Sequence, residues 1–406
     1  MSIRAVIGKN FGDEGKGLAT DYLAMLAREK DHSCIVVRHN GGAQAGHTVE
    51  AFGKRFIFRE ISSGSFRGAD TLWAPTFMPD LYKLSDERNE FLSLGVKLPK
   101  ILSVPDCPLT YIDDILINMS LETRRGKDRH GSCGMGIDEA KRRSLLTDFK
   151  ITPYDIVSGG AEAFYKKLIY IREEYLPKRL EALDLSSSSM GEFGDLITDQ
   201  NVLYNYCEQM CRNSELIEIA DEGIMKSYDD IIFEGAQGLI LDEENEAFAP
   251  NLTSSRTGLT NPDAILERVG IEGEAEAIYV TRTYVTKHGA GRLPYEDVIS
   301  REDMVFEDAT NVHNEWQGTL RFASHGSPDE FNEYVIKDSA KSAFAPTILF
   351  THVDETKGQV LTKDGEFALN DWICRINSSG LYKKVLVSES HFAEDIRRID
   401  IREDDK

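Results

Sequence analysis

Cysteine, basic side chains and long apolar runs are all scarce in this sequence. It has six cysteines among 406 residues, too few and too irregularly spaced for a disulfide framework. Its 47 lysines and arginines against 69 acidic residues give a formal net charge of −22, which argues against binding nucleic acid or an anionic membrane through general basicity. No stretch approaches the roughly 18 apolar residues that a membrane helix requires. We therefore predict a cytoplasmic protein that binds anionic ligands through local clusters of basic side chains.

Short apolar runs that end in glycine or polar residues recur along the chain. Ala5-Val6-Ile7 precedes a glycine-rich turn, and residues 34–37 precede another, with a helical apolar spacing between them. Four further runs follow, at residues 231–233, 277–280, 347–350 and 385–387. The alternation predicts an α/β fold with a central, mostly parallel sheet and flanking helices. Ligands collect at the carboxyl ends of the strands in such sheets, so the residues directly after these runs form the candidate site.

The predicted organisation is one large domain over residues 1–406, with a helical subregion inserted near residues 150–225. Apolar residues in that stretch recur on one helical face, namely Phe164, Leu168, Ile171 and Tyr175. This spacing favours helices over strands there.

A glycine-rich segment, Gly12-Asp13-Glu14-Gly15-Lys16-Gly17, lies between the first predicted strand and the first predicted helix. Glycines let a backbone approach a phosphate closely, the start of a helix supplies free N–H groups, and Lys16 adds a positive charge. The segment is not a standard P-loop, which would need glycine in place of Asn10 and a hydroxyl in place of Gly17. Asp13 is unfavourable beside phosphates unless it binds Mg²⁺ or accepts a proton. The segment therefore predicts a phosphate site at which a carboxylate takes part.

Two further motifs lie at predicted strand ends. In residues 40–48, His47 has small neighbours that leave room for a ligand, and its imidazole can donate to a phosphoryl oxygen. In residues 233–238, the amide of Gln237 can both donate to and accept from the edge of a base. The hydroxyl-rich segment that begins at Thr253 also carries an arginine, and this combination suits a monophosphate.

Five motifs in this order resemble the adenylosuccinate synthetase family. They are Gly-Asp-Glu-Gly-Lys-Gly at 12–17, Gly-Gly-x-x-Ala-Gly-His-Thr at 41–48, Phe-Glu-Gly-Ala-Gln-Gly at 233–238, Thr-Ser-Ser at 253–255 and Gly-Ala-Gly at 289–291. The resemblance implies a fold similar to that of the P-loop GTPases and the activity of a carbon–nitrogen ligase in purine biosynthesis. Such an enzyme joins L-aspartate to C6 of a 6-oxopurine mononucleotide. The γ-phosphoryl group of GTP is first moved to O6, and the aspartate amine then displaces phosphate.

The resemblance also implies roles for individual residues. Asp13 would remove the N1 proton of the purine and would bind Mg²⁺ together with the Gly46 carbonyl. His47 would donate to the transferring phosphoryl group, and Gln237 would position O6. The residues implied at the nucleoside triphosphate are Gly12, Glu14, Gly15, Lys16, Gly17, Thr48, Asp354 and Ser388. Those implied at the mononucleotide and at aspartate are Gln44, Ser132, Cys133, Arg142, Arg143, Thr253 and Arg321, with Arg142 and Arg143 acting across the interface of a homodimer.

Departures from the family pattern leave alternatives open. His352 stands where the family has a lysine before Asp354, so GTP is the expected donor and ATP is the alternative. The segment Asn314 to Arg321 keeps one arginine where several are usual, which bears on the amino acid that is bound. IMP is the expected mononucleotide. Its main rival is dGMP, the substrate of a virus-associated branch that supplies diaminopurine DNA, although known members of that branch replace the aspartate found here at Asp13. A nucleotide-binding regulator without ligase activity is a further hypothesis.

Overall fold

The computed structural model describes residues 1–126, 134–296 and 319–399. The strands within them are β1 (Ser2–Gly8), β2 (Cys34–Arg38), β3 (His47–Ala51), β4 (Lys54–Phe58), β5 (Asp70–Trp73), β6 (Ile101–Ser103), β7 (Glu218–Ile219), β8 (Asp230–Glu234), β9 (Ala275–Arg282), β10 (Val285–Lys287), β11 (Arg321–Ala323), β12 (Phe344–Thr351), β13 (Gln359–Thr362), β14 (Gly365–Ala368), β15 (Lys384–Val387) and β16 (Arg397–Ile399). The α-helices are α1 (Lys16–Glu29), α2 (Leu81–Ser93), α3 (Ile112–Arg125), α4 (Ile137–Ser144), α5 (Pro153–Tyr170), α6 (Leu176–Ala182), α7 (Glu192–Thr198), α8 (Gln200–Asn213), α9 (Thr260–Val269), α10 (Pro328–Ser339) and α11 (Leu369–Ile376).

Ten of these strands form one sheet, in the spatial order β16-β15-β12-β9-β1-β8-β2-β5-β6-β7. Its neighbouring strands run parallel, except that β16 pairs antiparallel with β15 at one edge. The remaining strands form the antiparallel pairs β3–β4, β10–β11 and β13–β14. The predicted α/β fold with a mostly parallel central sheet and flanking helices is confirmed.

The central strands are apolar along most of their length because both faces of the sheet are covered. On β1, Ile3, Ala5 and Ile7 lie in the larger hydrophobic core, and Val6 lies in the smaller core on the other face. β2 and β8 show the same alternation. Helix α1 contributes Leu23 to the smaller core, so it packs directly on the centre of the sheet.

Parallel strands bring their carboxyl ends to the same edge of the sheet. The segments that follow β1, β2, β8, β9 and β12 at this edge begin at residues 9, 39, 235, 283 and 352. Helix α1 also begins there. The topology therefore brings the predicted motifs, which lie far apart in the sequence, to one edge.

The predicted helical subregion is occupied mainly by α5 to α8, from Pro153 to Asn213. The predicted range continues to residue 225, but the chain has by then returned to the main sheet as β7, which pairs with β6. A satellite core joins α3 to α6 and α7, and its members include Leu116, Leu180 and Ile197. In the described part of the chain, no helix is both long enough and apolar enough to cross a membrane. The single-domain organisation stays a prediction.

Candidate active site

A cleft of about 1780 Å³ opens at the carboxyl edge of the sheet. Pockets for one small ligand usually measure about 300–1,000 Å³, so this cleft has room for more than one. It is lined by many of the predicted site residues, namely Gly12, Asp13, Glu14, Gly15, Lys16, Gly17, Gln44, Gly46, His47, Thr48, Arg142, Gln237, Thr253 and Asp354.

The glycine-rich loop ends where α1 begins. Gly15 has a φ of 90°, a left-handed conformation that favours glycine, and it precedes the first helical residue, Lys16. A Cβ on Gly17 would lie only 2.9 Å from the Thr48 carbonyl oxygen, so a side chain there would force the loop away from its neighbour. The first turn of α1 contains no acidic residue, and its N–H groups have no intrahelical partners. This arrangement suits the binding of phosphate groups.

Glu14 is 1% exposed and takes part in the shape of the loop. Its Oε1 accepts hydrogen bonds from the backbone N and the Nδ2 of Asn10, each at 2.7 Å. Its backbone carbonyl accepts from Thr351 Oγ1 at 2.9 Å, which ties the loop to the end of β12. Glu14 was predicted to contact the triphosphate. Its contacts with Asn10 and Thr351 instead favour a role in holding the loop that would bind the triphosphate.

Asp13 is held by the chain that follows β9. Its Oδ2 lies 2.5 Å from His288 Nε2, and its backbone carbonyl accepts from Arg282 Nε at 2.5 Å. Burial alone would raise the pKa of Asp13. The interactions with His288, Arg282 and Lys16 outweigh burial and lower the pKa to about 2. The side chain is 28% exposed. Asp13 is therefore an ionised carboxylate that a ligand in the cleft can reach.

His47 contacts a second carboxylate, that of Glu234. His47 Nδ1 lies 2.7 Å from Glu234 Oε1. Ser63 also donates to Glu234, through its hydroxyl to Oε1 and through its backbone N to Oε2 at 3.2 Å. Arg38 Nη1 lies 3.7 Å from Oε2. His47 is thus held from one edge of its ring.

The hydroxyl segment and Arg142 meet across Asp138. Ser254 Oγ donates to Asp138 Oδ1 at 2.5 Å, and Arg142 Nε donates to Asp138 Oδ2 at 2.7 Å. Thr253, next to Ser254, lines the same cleft as Arg142, as do Gln44 and Gln237. Hydroxyls beside a guanidinium suit an anionic group such as a monophosphate.

The part of the cleft after β12 and β15 contains one of the two predicted residues, Asp354, but not the other, Ser388. Asp354 is exposed there, and His352 Nδ1 lies 2.9 Å from Thr351 Oγ1. Ser388 was predicted to contact the base, but it is fully buried and its hydroxyl donates to the Ser390 carbonyl at 2.7 Å. Ser390 and His391 line the cleft in its place.

Arg143 was predicted to contact substrate, but it does not line the cleft. Its side chain is fully buried, and its Nη2 lies 2.8 Å from Asp114 Oδ2. The guanidinium also donates to the carbonyls of Phe149 and Leu109, at 2.7 and 2.8 Å. Because these acceptors lie inside its own chain, the structure gives Arg143 a structural role.

Arg321 was predicted to clamp aspartate, and it is likewise engaged elsewhere. Its Nε donates to Glu296 Oε1 at 2.9 Å, and its Nη2 donates to Glu296 Oε2. Its Nη1 donates to the carbonyls of Gly289 and Gly291, at 3.0 and 2.9 Å. This geometry holds the Gly-Ala-Gly turn. The predicted contacts Ser132 and Cys133, and residues 314–318, lie outside the described residues.

Sequence reasoning assigned no role to Glu234, Arg282 and His288, which complete the site. Glu234 and Arg282 are the last residues of β8 and β9, both buried strands. A charged side chain that ends an apolar run at the carboxyl edge is a signal that could have found them. His288 carries no comparable local signal, because only the fold brings it to Asp13.

Comparison with known proteins decides the family. A family model described as adenylosuccinate synthetase matches residues 5–321. The chain belongs to the adenylosuccinate synthetase family. The adenylosuccinate synthetase of Mesoplasma florum is 29% identical over 299 residues, which cover 72% of this chain and 64% of that protein. The match thus spans less than two thirds of that relative's length.

Two solved structures share the fold across nearly the whole chain. One is the fully ligated adenylosuccinate synthetase of Plasmodium falciparum, with a TM-score of 0.67 and 15% identity, covering 98% of this chain and 100% of that one. The other is the succinoaminodeoxyadenylate synthetase of cyanophage S-2L, bound to dGMP and dATP, with a TM-score of 0.63 and 13% identity, covering 99% and 96%. The predicted family and fold are confirmed.

Proposed function

We propose that this chain is a carbon–nitrogen ligase that joins L-aspartate to C6 of a 6-oxopurine mononucleotide, with IMP as the expected substrate and GTP as the phosphoryl donor. The observation that carries the proposal is that Asp13, His47 and Thr253, from three separate segments, line one cleft with the glycine-rich loop. A phosphate loop, an ionised carboxylate, an imidazole and a hydroxyl cluster in one space supply what phosphoryl transfer between two bound nucleotides needs.

The proposed reaction divides its proton and charge movements between two side chains. Asp13 accepts the N1 proton of the purine while O6 attacks the γ-phosphorus of the triphosphate. The bond between O6 and phosphorus forms as the bond between the γ-phosphorus and the bridging oxygen breaks. His47 donates to the oxygens of the moving group, where negative charge has to be stabilised. The amine of aspartate then forms a bond to C6 and releases a proton to solvent, while the bond between C6 and O6 breaks and O6 leaves as part of inorganic phosphate.

Mg²⁺ is the metal that this site would take. The Asp13 carboxylate is ionised, and Gly46, whose carbonyl would be the second ligand, is exposed and lines the same cleft. Both are hard oxygen ligands, and Mg²⁺ is commonly held by one or two carboxylates plus substrate phosphates. Among the residues that the structure describes, no group of three or more His, Cys, Asp or Glu side chains could hold an ion by itself. When bound, Mg²⁺ would neutralise phosphate charge.

dGMP is the second candidate mononucleotide, because the fold neighbour from cyanophage S-2L is bound to dGMP. That structure also holds dATP as energy donor, which keeps ATP as the alternative to GTP. The exposed Asp354 carboxylate in the part of the cleft after β12 and β15 supports GTP, since it can accept from the N–H groups of guanine. The regulator hypothesis has less support, because Asp13 and His47 both line the cleft. A homodimer is part of the proposal and is tested by analytical ultracentrifugation.

A phosphate-release assay tests the proposal. The protein is incubated with GTP, Mg²⁺ and L-aspartate, in parallel with IMP and with dGMP, and the products are identified by mass. Release with IMP and a product that contains aspartate would support the expected reaction, and release with dGMP alone would replace IMP by dGMP. Reactions without aspartate and without mononucleotide are the controls. Hydrolysis of GTP that needs neither would point instead to a simple nucleotide hydrolase.

A further inference from the structure

Glu234 lies behind His47 as seen from the cleft. His47 lines the cleft, whereas Glu234 is fully buried, and a 2.7 Å contact joins His47 Nδ1 to Glu234 Oε1. We propose that Glu234 is a positioning residue for the ligase reaction, which holds the His47 ring so that its other nitrogen, Nε2, faces the phosphoryl group. This inference rests on the proposed function. It adds to that function a residue that touches no substrate.

The backbone of Glu234 is fixed by the central sheet. It is the last residue of β8, and it pairs with Val6 of β1 on one side and with Arg38 of β2 on the other. His47, by contrast, begins β3, in a two-stranded pair outside the main sheet. The contact therefore ties a side chain of the outer pair to the middle of the main sheet. Catalytic geometry is held most narrowly when such supports are built on the scaffold itself.

The groups that contact the Glu234 carboxylate are donors. They are the hydroxyl and the backbone N of Ser63, the Arg38 guanidinium and the His47 ring. Burial alone would raise the pKa of Glu234. The interactions with Arg38, His47 and Ser63 outweigh burial and lower the pKa to about 2. The carboxylate is therefore ionised and has no proton to give.

An acceptor at Nδ1 decides where His47 carries its proton. Because Glu234 can only accept, Nδ1 must be the protonated nitrogen, and Nε2 on the opposite edge of the ring is left for the ligand. With Nδ1 held by the buried carboxylate, the ring keeps one orientation and presents its Nε2 edge to the cleft, much as the aspartate of a Ser-His-Asp triad orients its histidine. Without that acceptor, the ring could adopt the other tautomer or rotate.

A double-mutant cycle separates positioning from a purely structural role. The variants are Glu234→Gln, His47→Ala and their combination, assayed with GTP, Mg²⁺, L-aspartate and the mononucleotide that the wild-type protein uses. We expect Glu234→Gln to lower kcat by about 10- to 100-fold, the range for residues that orient a functional histidine, with nucleotide KM values changed by less than about 3-fold. In the His47→Ala background, the same change should cost less than about 3-fold, because the residue through which Glu234 acts is gone.

Losses that multiply in the double variant would overturn the proposal, because Glu234 would then act independently of His47. If Glu234→Gln does not fold, Ser63→Ala takes its place, since it removes one donor and keeps the carboxylate. It should lower kcat by a smaller factor, and only when His47 is present.

A second measurement needs no turnover. The side-chain ¹⁵N–¹H spectrum of the free wild-type protein, with His47 assigned through its loss in His47→Ala, should show a protonated Nδ1. An unprotonated Nδ1 would overturn the proposal. If the wild-type protein releases no phosphate with either mononucleotide, the proposed function fails, and this spectrum still tests the pair by itself.

Discussion

Arg142 and Arg143 are neighbours on α4, yet their guanidinium groups lie in opposite environments. Arg142 is 56% exposed and pairs with Asp138 beside the cleft, whereas Arg143 is fully buried and pairs with Asp114. Removing one partner of a buried pair leaves the other charge uncompensated, which costs about 3–5 kcal/mol. We therefore expect Arg143→Leu to lower the free energy of unfolding by that amount. Arg142→Leu is the matched control and should change it by less than about 1 kcal/mol.

The two variants should separate in thermal unfolding and in ligand binding. With roughly 2.1 cal/mol/K of unfolding entropy per residue, a loss of about 3–5 kcal/mol lowers the midpoint of a chain of this length by roughly 4–6 °C if it unfolds as one unit. Differential scanning calorimetry measures this shift, and isothermal titration measures mononucleotide affinity. Arg142→Leu should weaken the affinity and leave the midpoint within about 1 °C. If Arg143→Leu keeps the wild-type midpoint and loses mononucleotide affinity, the structural role assigned to Arg143 is refuted.

Three further predictions concern the loop and its neighbours. Asp13→Asn should reduce turnover by about 10³-fold or more while nucleotide titration still shows binding, and retention of much of kcat would contradict its role as the base. Arg321→Leu should weaken the Gly-Ala-Gly turn that this side chain holds, so kcat and the KM for aspartate should both change; a change in that KM alone would restore the predicted carboxylate clamp. Burial lowers the pKa of Lys9 below its usual 10.5, more than the charge of Glu14 raises it. Because the unfolded chain binds more protons than the folded chain between pH values of about 7 and 10.5, this lysine should make stability rise with pH across that window, and Lys9→Met should flatten that slope in urea titrations at several pH values.

The position of the site could be predicted from the sequence because it depends on local patterns. A buried strand followed by glycines, as in residues 5–17, is visible in a single segment, and parallel pairing then brings such segments to one edge. The same logic placed His47 and Gln237, and both line the cleft. Thr253 was predicted from its hydroxyl-rich segment and from the family resemblance, and it lines the same cleft.

The partners of charged side chains could not be predicted in the same way. Arg142 and Arg143 are adjacent, so their sequence surroundings are nearly identical. Arg143 forms a buried ion pair only because Asp114, on another helix, lies beside it, whereas Arg142 forms an exposed pair with Asp138. His47 and Glu234 are 187 residues apart, and their contact exists because β8 lies beside β2 in the sheet. Strand order is a property of the whole fold, so a motif shows which residues are polar but not which atoms they contact.

The two histidine–carboxylate pairs of the cleft differ in a way that matches the two proposed roles. In His47–Glu234, the carboxylate is fully buried and bound by Arg38, so the histidine keeps one orientation while ligands come and go. In Asp13–His288, both side chains are about a quarter exposed and both line the cleft. Asp13 can therefore exchange its contact with His288 for a contact with substrate. A donor to the moving phosphoryl group needs a fixed direction, whereas a base has to change partners within each turnover. The fully buried Glu234 suits the first requirement, and the partly exposed Asp13 suits the second.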